Sequence, residues 1–210
     1  MTAPGEDKPD FLWMRPKRTP RSPAAPLSAD QIAAAAIAIA DRDGVDALSM
    51  RRVAAALGCG TMSLYRHVRT KEELLDLMID TVAGEHRPPA APSGDWRADL
   101  LGAARQLRAG ALRHPWLPRL SAARRSFGPN TLAAIEFALS AVDGLGLSID
   151  EMAAVVQTVH ACVHGFVLDE LADREWRNPP TATPDDPHRL GLATYLQHLA
   201  GTGQFPHFIR

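Results

Sequence analysis

Residues 49–75 read SMRRVAAALGCGTMSLYRHVRTKEELL, and this stretch decides the fold of the first part of the chain. Ser49 is a favoured helix-capping residue in front of a short apolar run, and Gly58 ends that run. A second short helix is predicted over residues 61–67, and Thr70 can cap a longer one after it. The stretch therefore predicts two short helices joined by a tight Gly-Cys-Gly turn, followed by a third.

These two short helices have the spacing that a helix-turn-helix needs. In that motif the first helix crosses the sugar–phosphate backbone while the second lies in the major groove. The second helix must therefore expose side chains near its start and attach to its neighbours through a few apolar ones. The side chains predicted to point outward are Met62, Ser63, Tyr65 and Arg66, and those predicted to face the core are Val53, Ala54, Leu57, Leu64 and Val68.

The charge distribution favours a polyanionic partner at this end of the chain. The 210 residues include 23 Lys or Arg and 24 Asp or Glu, which gives a net charge of −1. Between Arg15 and Lys71 there are ten basic side chains and four acidic ones, so this segment carries +6 and the rest of the chain −7. The small total excludes a uniformly basic coat protein and a highly charged disordered chain. The asymmetry indicates electrostatic attraction to a polyanion at one end only.

Composition and hydropathy indicate a soluble protein of a reducing compartment. Apolar residues make up 46% of the chain, which is enough for a sizeable core. Two cysteines, Cys59 and Cys162, cannot form a disulfide framework or a four-cysteine zinc site. No stretch reaches the roughly 18 apolar residues that a membrane span needs, since the longest candidate, at residues 32–40, stops at Asp41. The N-terminus has no signal-peptide core. We therefore expect a cytoplasmic location and no membrane partner.

The positions of the proline-rich segments predict three regions in the chain. Residues 1–27 are rich in proline and partly basic, so we expect a disordered or extended arm, which can lie in a DNA minor groove or stay solvated. Residues 28–87 form the helix-turn-helix domain with its linking helix, and the proline-rich break at residues 88–94 is the predicted boundary. Residues 95–210 form a second helical domain, because alternating strand patterns are lacking. The helices predicted there span about residues 96–113, 116–122, 130–143, 148–176 and 189–200.

The opening stretch is similar to the DNA-binding domain of the TetR family of repressors. The segments that carry the resemblance are Arg51-Arg52-Val53-Ala54, Leu57-Gly58, Ser63-Leu64-Tyr65-Arg66-His67-Val68 and Lys71-Glu72-Glu73-Leu74-Leu75. Trp96, Gly165 and the turns at residues 127–129 and 143–148 look closer to the tetracycline-repressor branch. The resemblance implies an all-α fold, in which a three-helix helix-turn-helix domain is joined by a linking helix to a helical domain for ligand binding and dimerisation. It also implies a repressor that a small-molecule effector releases from a palindromic operator.

The resemblance implies a role for each matching residue at the double-stranded DNA operator. Arg51 matches an arginine that reads guanine, to which a guanidinium can donate two hydrogen bonds. Lys71 opens the linking helix, where the ammonium and the helix N-terminus both favour a phosphate. Arg52 is expected to be solvated or paired within the chain. The residues implied at the base-facing start of the recognition helix are Thr61, Met62 and Ser63, and those implied at the backbone are Tyr65 and His67. Packing within the chain is an equal alternative for His67 and a less favoured one for Tyr65.

The resemblance also places an effector site in the second domain, although ordinary core packing is the favoured interpretation of each apolar candidate. The candidate ligand-binding residues are Ala103, Leu107, Trp116, Phe137, Ser140, Val156, His160 and His164. Tetracycline repressors hold a magnesium–drug chelate near the loop that here contains Arg124 and Arg125, and two arginines are not metal ligands. The effector predicted from this departure is a molecule other than tetracycline, anionic or partly apolar, with no cofactor required.

A symmetric operator implies a homodimer. The family normally has one more helix after the Phe205-Pro206 region, and the chain ends at Arg210. Dimerisation is therefore expected either through the helices at residues 148–176 and 189–200, or in a longer form of the sequence.

Two other classes of function stay open from the sequence. A helical enzyme or metal-binding protein would use His160, Cys162 and His164, but a cysteine two residues from a histidine faces another side of the helix. The paired histidines also lack the neighbouring glutamate of a zinc hydrolase, since Ala161 stands there. An architectural DNA-binding protein without an effector would not need a second domain of more than a hundred residues. We therefore predict that the protein is not an enzyme and has no metal site.

Overall fold

The computed structural model describes residues 11–15, 27–177 and 187–207, and the regular structure in these residues is all helical. This confirms the predicted fold class. Short 3-10 turns lie at Leu12–Met14 and Val45–Ala47. The α-helices are α1 Ala29–Asp43, α2 Met50–Ala56, α3 Thr61–Leu64, α4 Lys71–Ala83, α5 Trp96–Arg113, α6 Leu117–Ala123, α7 Pro129–Val142, α8 Ile149–Arg177 and α9 Pro187–Thr202.

Side-chain caps start the helices of the first domain. The backbone N–H of Gln31 donates to Oγ of Ser28 at 3.1 Å, and the Ser28 N–H donates to Oε1 of Gln31 at 3.0 Å. This reciprocal pair is the predicted capping box of α1. Ser49 and Thr70 each accept a backbone N–H in the first turn of α2 and α4, at 3.3 and 3.1 Å. Each cap contributes about 1 kcal/mol, so these residues fix where the helices begin.

One apolar core holds the helix-turn-helix together. Ile32 of α1, Val53 of α2, Leu64 of α3 and Leu74 of α4 are all 0% exposed. Val68, in the turn before α4, is also fully buried. The core-facing residues predicted from the spacing are confirmed, except that Leu57 is only half-buried against this core.

The recognition helix is shorter than predicted. α3 ends at Leu64, whose carbonyl accepts the N–H groups of both His67 and Val68, at 2.8 and 2.9 Å. These bonds close a tight turn that leads directly to the cap of α4. The preceding turn requires a positive φ of 63° at Gly58, a conformation that glycine adopts without strain.

The helices on the two sides of the proline-rich segment at residues 88–94 pack against each other. Contacts divide the chain into the compact units Met1–Leu168 and Asp169–Arg210, with the division inside α8. Within the first unit α4 packs against both α5 and α7, and the predicted domain boundary at residues 88–94 stays a prediction. Trp116 and Leu117, at the start of α6, also belong to the core of the helix-turn-helix. A smaller apolar core forms between α5, α7 and α8 from Leu100, Ala138, Val142 and Met152.

The helix α8 is unusually apolar for a helix with so little buried surface. Within the described part of the chain, it is long and apolar enough by length and composition to cross a membrane. Its most apolar window has a mean hydropathy of 1.3 and is 17% buried, with Phe166 75% exposed. The expectation that no stretch reaches the length of a membrane span is therefore wrong for α8. Length and composition do not separate such a span from a helix that buries its apolar face against another protein.

Residues 11–15 differ from the disordered or extended arm that the prolines predicted, since they include a short 3-10 turn. The turn Leu12–Met14 is closed by the N–H of Met14, which donates to the carbonyl of Phe11 at 3.0 Å. Leu12 and Trp13 pack against the core of the helix-turn-helix. We call residues 11–15 the N-terminal clasp; the rest of the predicted arm, apart from Leu27, lies outside the described residues.

Candidate DNA-binding surface and effector site

The helix α3 and the residues directly after it expose Met62, Tyr65 and Arg66 of the predicted outward face, while Ser63 is half-buried. Met62 is 74% exposed and Tyr65 is 39% exposed, while Leu64 between them is fully buried. Thr61 and Ser63 are half-buried, with Thr61 directly after the turn. The buried leucine therefore anchors α3 in a fixed rotation, which presents its first turn to solvent.

Two adjacent arginines at the start of α2 have different environments. Arg52 donates to the carbonyl of Ala47 at 3.0 Å and forms an ion pair with Asp43, which confirms that it is paired within the chain. Arg51 is exposed and makes no hydrogen bond or ion pair with the described residues. Hydrogen bonds from Arg42 and Arg52 lower the pKa of Asp43 to about 2, so Arg52 keeps an ionised partner. Arg51 is thus the guanidinium left available for an external acceptor.

The remaining predicted DNA-contacting residues follow α3 and open α4. His67 is half-buried in the turn, and Lys71 is exposed at the first position of α4. All seven predicted residues therefore lie in three places: the first turn of α2, the helix α3, and the segment from the end of α3 to the start of α4. None of the seven is classed as buried.

The candidate effector residues do not all converge on one space. A cleft of about 490 Å³ lies between the end of α4, the proline-rich linker and the outer side of α7. Of the eight candidates, Phe137 and Ser140 line this cleft. Val156 packs against the small core of α5, α7 and α8, while Ala103 and Leu107 are half-buried on α5.

Two histidines on α8 form a stacked pair. The ring centroids of His160 and His164 are 4.1 Å apart, and neither ring makes a hydrogen bond with the described residues. His164 is 8% exposed, and burial, helped by the charge of His160, lowers its pKa to about 4. Burial and the nearby charge of Arg125 also lower the pKa of His160. Both imidazoles are therefore neutral at pH 7, each with one donor and one acceptor for a bound molecule.

Trp116, a predicted ligand-binding residue, is buried in a contact between α1 and the start of α6. It is 6% exposed, and its indole N–H donates to Oδ1 of Asp41, at the end of α1, at 2.7 Å. The same carboxylate oxygen lies 2.8 Å from Nδ1 of His114, whose Nε2 lies 3.2 Å from Glu85. We call Asp41, Glu85, His114 and Trp116 the α1 anchor. It ties the DNA-binding helices to the α5–α6 junction.

A second set of contacts ties α4 to the loop between α6 and α7. Arg124 donates to both carboxylate oxygens of Asp76, at 3.1 and 3.0 Å. Asp80 is 2% exposed and accepts the backbone N–H of Thr131 at 2.9 Å and Nδ2 of Asn130 at 3.1 Å. Asp80 of α4 therefore caps the N-terminus of α7. We call these five residues the α4 link.

Sequence reasoning missed both sets of contacts. Asp76 and Asp80 stand within the otherwise apolar run of α4, where an acid on a buried face needs a partner. That signal was available, but the partner lies about fifty residues away in the sequence. Arg124, noted from the sequence only as a residue that is not a metal ligand, has a structural role, because it pairs with Asp76 of α4.

The histidines and Cys162 do not form the constellation that a metal ion needs. Cys162 is exposed on α8. Among residues 11–15, 27–177 and 187–207, no group of three or more His, Cys, Asp or Glu side chains is placed to hold a metal.

An anchored, outward-facing second helix with a free arginine beside it defines a DNA-binding transcriptional regulator of the helix-turn-helix class. The description "Bacterial regulatory proteins, tetR family" matches residues 32–78, and "Tetracyclin repressor-like, C-terminal domain" matches residues 88–210. The chain belongs to the TetR family of transcriptional regulators.

Individual relatives agree with this assignment. The HTH-type transcriptional repressor DrrR1 of Streptomyces coeruleorubidus is 36% identical over 198 residues, which cover 94% of this chain and 73% of that protein. The structure of ActR from Streptomyces coelicolor in complex with actinorhodin matches with a TM-score of 0.66 and 32% identity, covering 88% of this chain and 85% of that one. The structure of BioQ with its natural double-stranded DNA operator matches with a TM-score of 0.60 and 30% identity, covering 72% of this chain and 92% of that one.

Proposed function

We propose that this protein is a cytoplasmic, homodimeric repressor that holds a palindromic operator and leaves it when a small molecule binds the second domain. It carries out no catalytic step of its own. The observation that carries the proposal is the contrast between the two arginines of α2. Arg52 is used within the chain, whereas Arg51 is exposed beside α3 with no partner in the described residues.

In this proposal α3 enters the major groove and α2 crosses its edge. Arg51 donates two hydrogen bonds to one guanine, and Met62 contacts a thymine methyl group. The half-buried hydroxyls of Thr61 and Ser63 lie at the same end of α3 and complete the base-facing surface. The phosphates on either side are held by Tyr65, His67 and Lys71.

The effector is an anionic molecule with an apolar body. The neutral rings of His160 and His164 offer hydrogen bonds beside apolar side chains, and the positive charge of Arg125 lies close enough to affect His160. ActR, which is similar over most of this chain, has a structure with actinorhodin bound. The other proposed lining residues are Ala103, Leu107, Phe137, Ser140 and Val156, and Trp116 acts through the α1 anchor.

Release follows from an equilibrium between two positions of α4. An effector that prefers one position lowers operator affinity by the ratio of its affinities for the two positions. The α4 link connects the helix that opens with Lys71 to the start of α7, and Phe137 and Ser140 lie further along α7. Movement of α7 on ligand binding is therefore transmitted to the DNA-binding helices.

The apolar, exposed face of α8 supports dimerisation through this helix. Ile149 is 66% exposed and Phe166 is 75% exposed. Exposed apolar surface of this kind is typical of a protein–protein interface. Light scattering should give a dimer for the wild-type chain, and Phe166→Glu should shift it towards the monomer.

The decisive test is DNA binding by Arg51→Ala. A bidentate contact to guanine contributes about 1–3 kcal/mol of discrimination, and a dimer makes two such contacts. Binding to the DNA upstream of the protein's own gene should therefore weaken roughly 30-fold or more. The matched control is Arg105→Ala, which removes an exposed arginine of α5 and should leave affinity unchanged. Equal affinities for the two variants would refute the assignment of Arg51.

The effector site is tested by release from the same DNA. Anionic aromatic compounds are titrated into the complex, and His160→Ala and His164→Ala are compared with the wild type. Both variants should keep their operator affinity and need more compound for release. Unchanged release curves for both would place the effector elsewhere.

A further inference from the structure

The N-terminal clasp makes an ion pair with the first turn of α4. Nη1 of Arg15 donates to Oε2 of Glu73 at 2.9 Å, and Nη2 donates to Oε1 at 2.5 Å. Both side chains are 19% exposed, so the pair is largely shielded from water. A bidentate guanidinium–carboxylate pair of this kind holds both side chains in a defined orientation and neutralises the carboxylate charge.

Glu73 is not an ordinary surface carboxylate. Its Oε2 also accepts the backbone N–H of Arg69 at 2.8 Å, and its own N–H donates to the capping hydroxyl of Thr70 at 3.1 Å. Burial alone would raise the pKa of Glu73, but the hydrogen bonds from Arg15 and Arg69 outweigh it and lower the pKa. Glu73 is therefore ionised, and it organises the turn that delivers Lys71.

This turn is where the proposed phosphate contacts lie. Lys71 is exposed at the first position of α4, and Glu72 and Glu73 place two negative charges in the same turn. A carboxylate close to a phosphate-binding surface opposes DNA binding unless a cation neutralises it. Arg15 supplies that cation for Glu73 from a segment that lies before the family-matched residues 32–78.

We propose that Arg15 is a positioning residue for DNA binding, which acts through Glu73. It neutralises this carboxylate and holds the turn between α3 and α4 in the shape that presents Lys71 to a phosphate. The inference rests on the proposed DNA contacts of α3 and α4. It extends the DNA-binding domain to the N-terminal clasp, whose apolar side chains Leu12 and Trp13 fix the position of Arg15.

The test combines Arg15→Gln, Glu73→Gln and the double variant in the full-length chain. The DNA probes are the duplex upstream of the protein's own gene and a shuffled duplex of equal length. Affinity is measured at low and at high salt, and the melting temperature of each variant is recorded. Arg42→Gln is the matched control, because it removes an arginine from an exposed ion pair with Asp43 on α1.

Arg15→Gln should weaken binding to the upstream duplex by about threefold to tenfold at roughly 50 mM salt, and by less than about twofold at roughly 300 mM. Glu73→Gln should bind at least as well as wild type, because glutamine also serves at this position of a helix start. The double variant should recover wild-type affinity within about twofold, since no uncompensated charge remains. Arg42→Gln should have no effect.

Other results would overturn the inference. A double variant as weak as Arg15→Gln would mean that Arg15 contacts DNA directly and does not act through Glu73. An affinity loss that is equal at both salt concentrations and accompanied by a lower melting temperature would mean that the clasp has only a packing role. Wild-type protein that binds neither duplex would instead refute the proposed operator contacts themselves.

Discussion

Replacing Asp80 should show how strongly α4 and α7 are held together. Asp80 is 2% exposed and accepts the N–H of Thr131, one of the donors that the start of α7 cannot satisfy within the helix. In Asp80→Ala this buried N–H loses its partner, which costs about 1–3 kcal/mol. Loss of the negative charge at a helix N-terminus adds about 0.5–1 kcal/mol. Asn130 keeps its second bond, to the backbone carbonyl of Asp80, so we expect a total of about 2–4 kcal/mol.

The variant Asp80→Asn separates the contribution of the hydrogen bond from that of the negative charge. Asp80→Asn keeps an acceptor for Thr131 but turns an N–H₂ group towards the amide of Asn130, so we expect a loss of about 1–2 kcal/mol. Urea unfolding followed by circular dichroism at one fixed protein concentration gives these free energies, since dimerisation makes stability depend on concentration. Asp46→Ala, at the exposed position of the turn Val45–Ala47, is the control and should change stability little. A loss below about 0.5 kcal/mol for Asp80→Ala would refute the capping role.

Other contacts of Asp80, Asp41 and His164 also affect stability. Gly128→Ala should destabilise the fold by about 1–3 kcal/mol in the same urea titration, because a Cβ there would lie 2.2 Å from Cγ of Asp80. Trp116→Phe should cost about 1–2 kcal/mol, because Asp41 loses the indole N–H donor. His164 has a pKa of about 4 when folded, below the unfolded value of about 6.5. The unfolded chain therefore binds a proton first, and stability should fall by up to about 3 kcal/mol as the pH drops from 6.5 to 4, less in His164→Gln.

The helix starts and the buried positions of the first domain were predictable from the sequence, because each depends on residues within one or two turns. Ser28 and Gln31 define the start of α1 within one turn, and Ser49 and Thr70 do the same for α2 and α4. The buried positions of α3 follow from the four-residue spacing of its apolar side chains. The same argument overestimated the length of α3, since the residues after Leu64 form a tight turn closed by bonds to its carbonyl.

The contacts between distant segments were not predictable from spacing. Asp41 and Trp116 are 75 residues apart, and Asp80 and Thr131 are 51 apart. The residues around Asp41 or Asp80 in the sequence do not indicate which distant residue each one contacts. Trp116 is a ligand-binding candidate from the sequence, because the sequence does not show that its indole N–H donates to Asp41. The docking of the N-terminal clasp was missed for the same reason, since Leu12 and Trp13 stand among prolines with no periodic pattern around them.

The α1 anchor and the α4 link together restrict how the DNA-binding helices can move. Asp41 is held at the end of α1, while Asp76 and Asp80 are held along α4. A rigid body fastened at two separated places keeps only one easy motion, a rotation about the line that joins them. In the proposed release, a movement of α7 would therefore reach α1 and α4 as a turn of the whole helix-turn-helix and not as a slide away from α5 and α6.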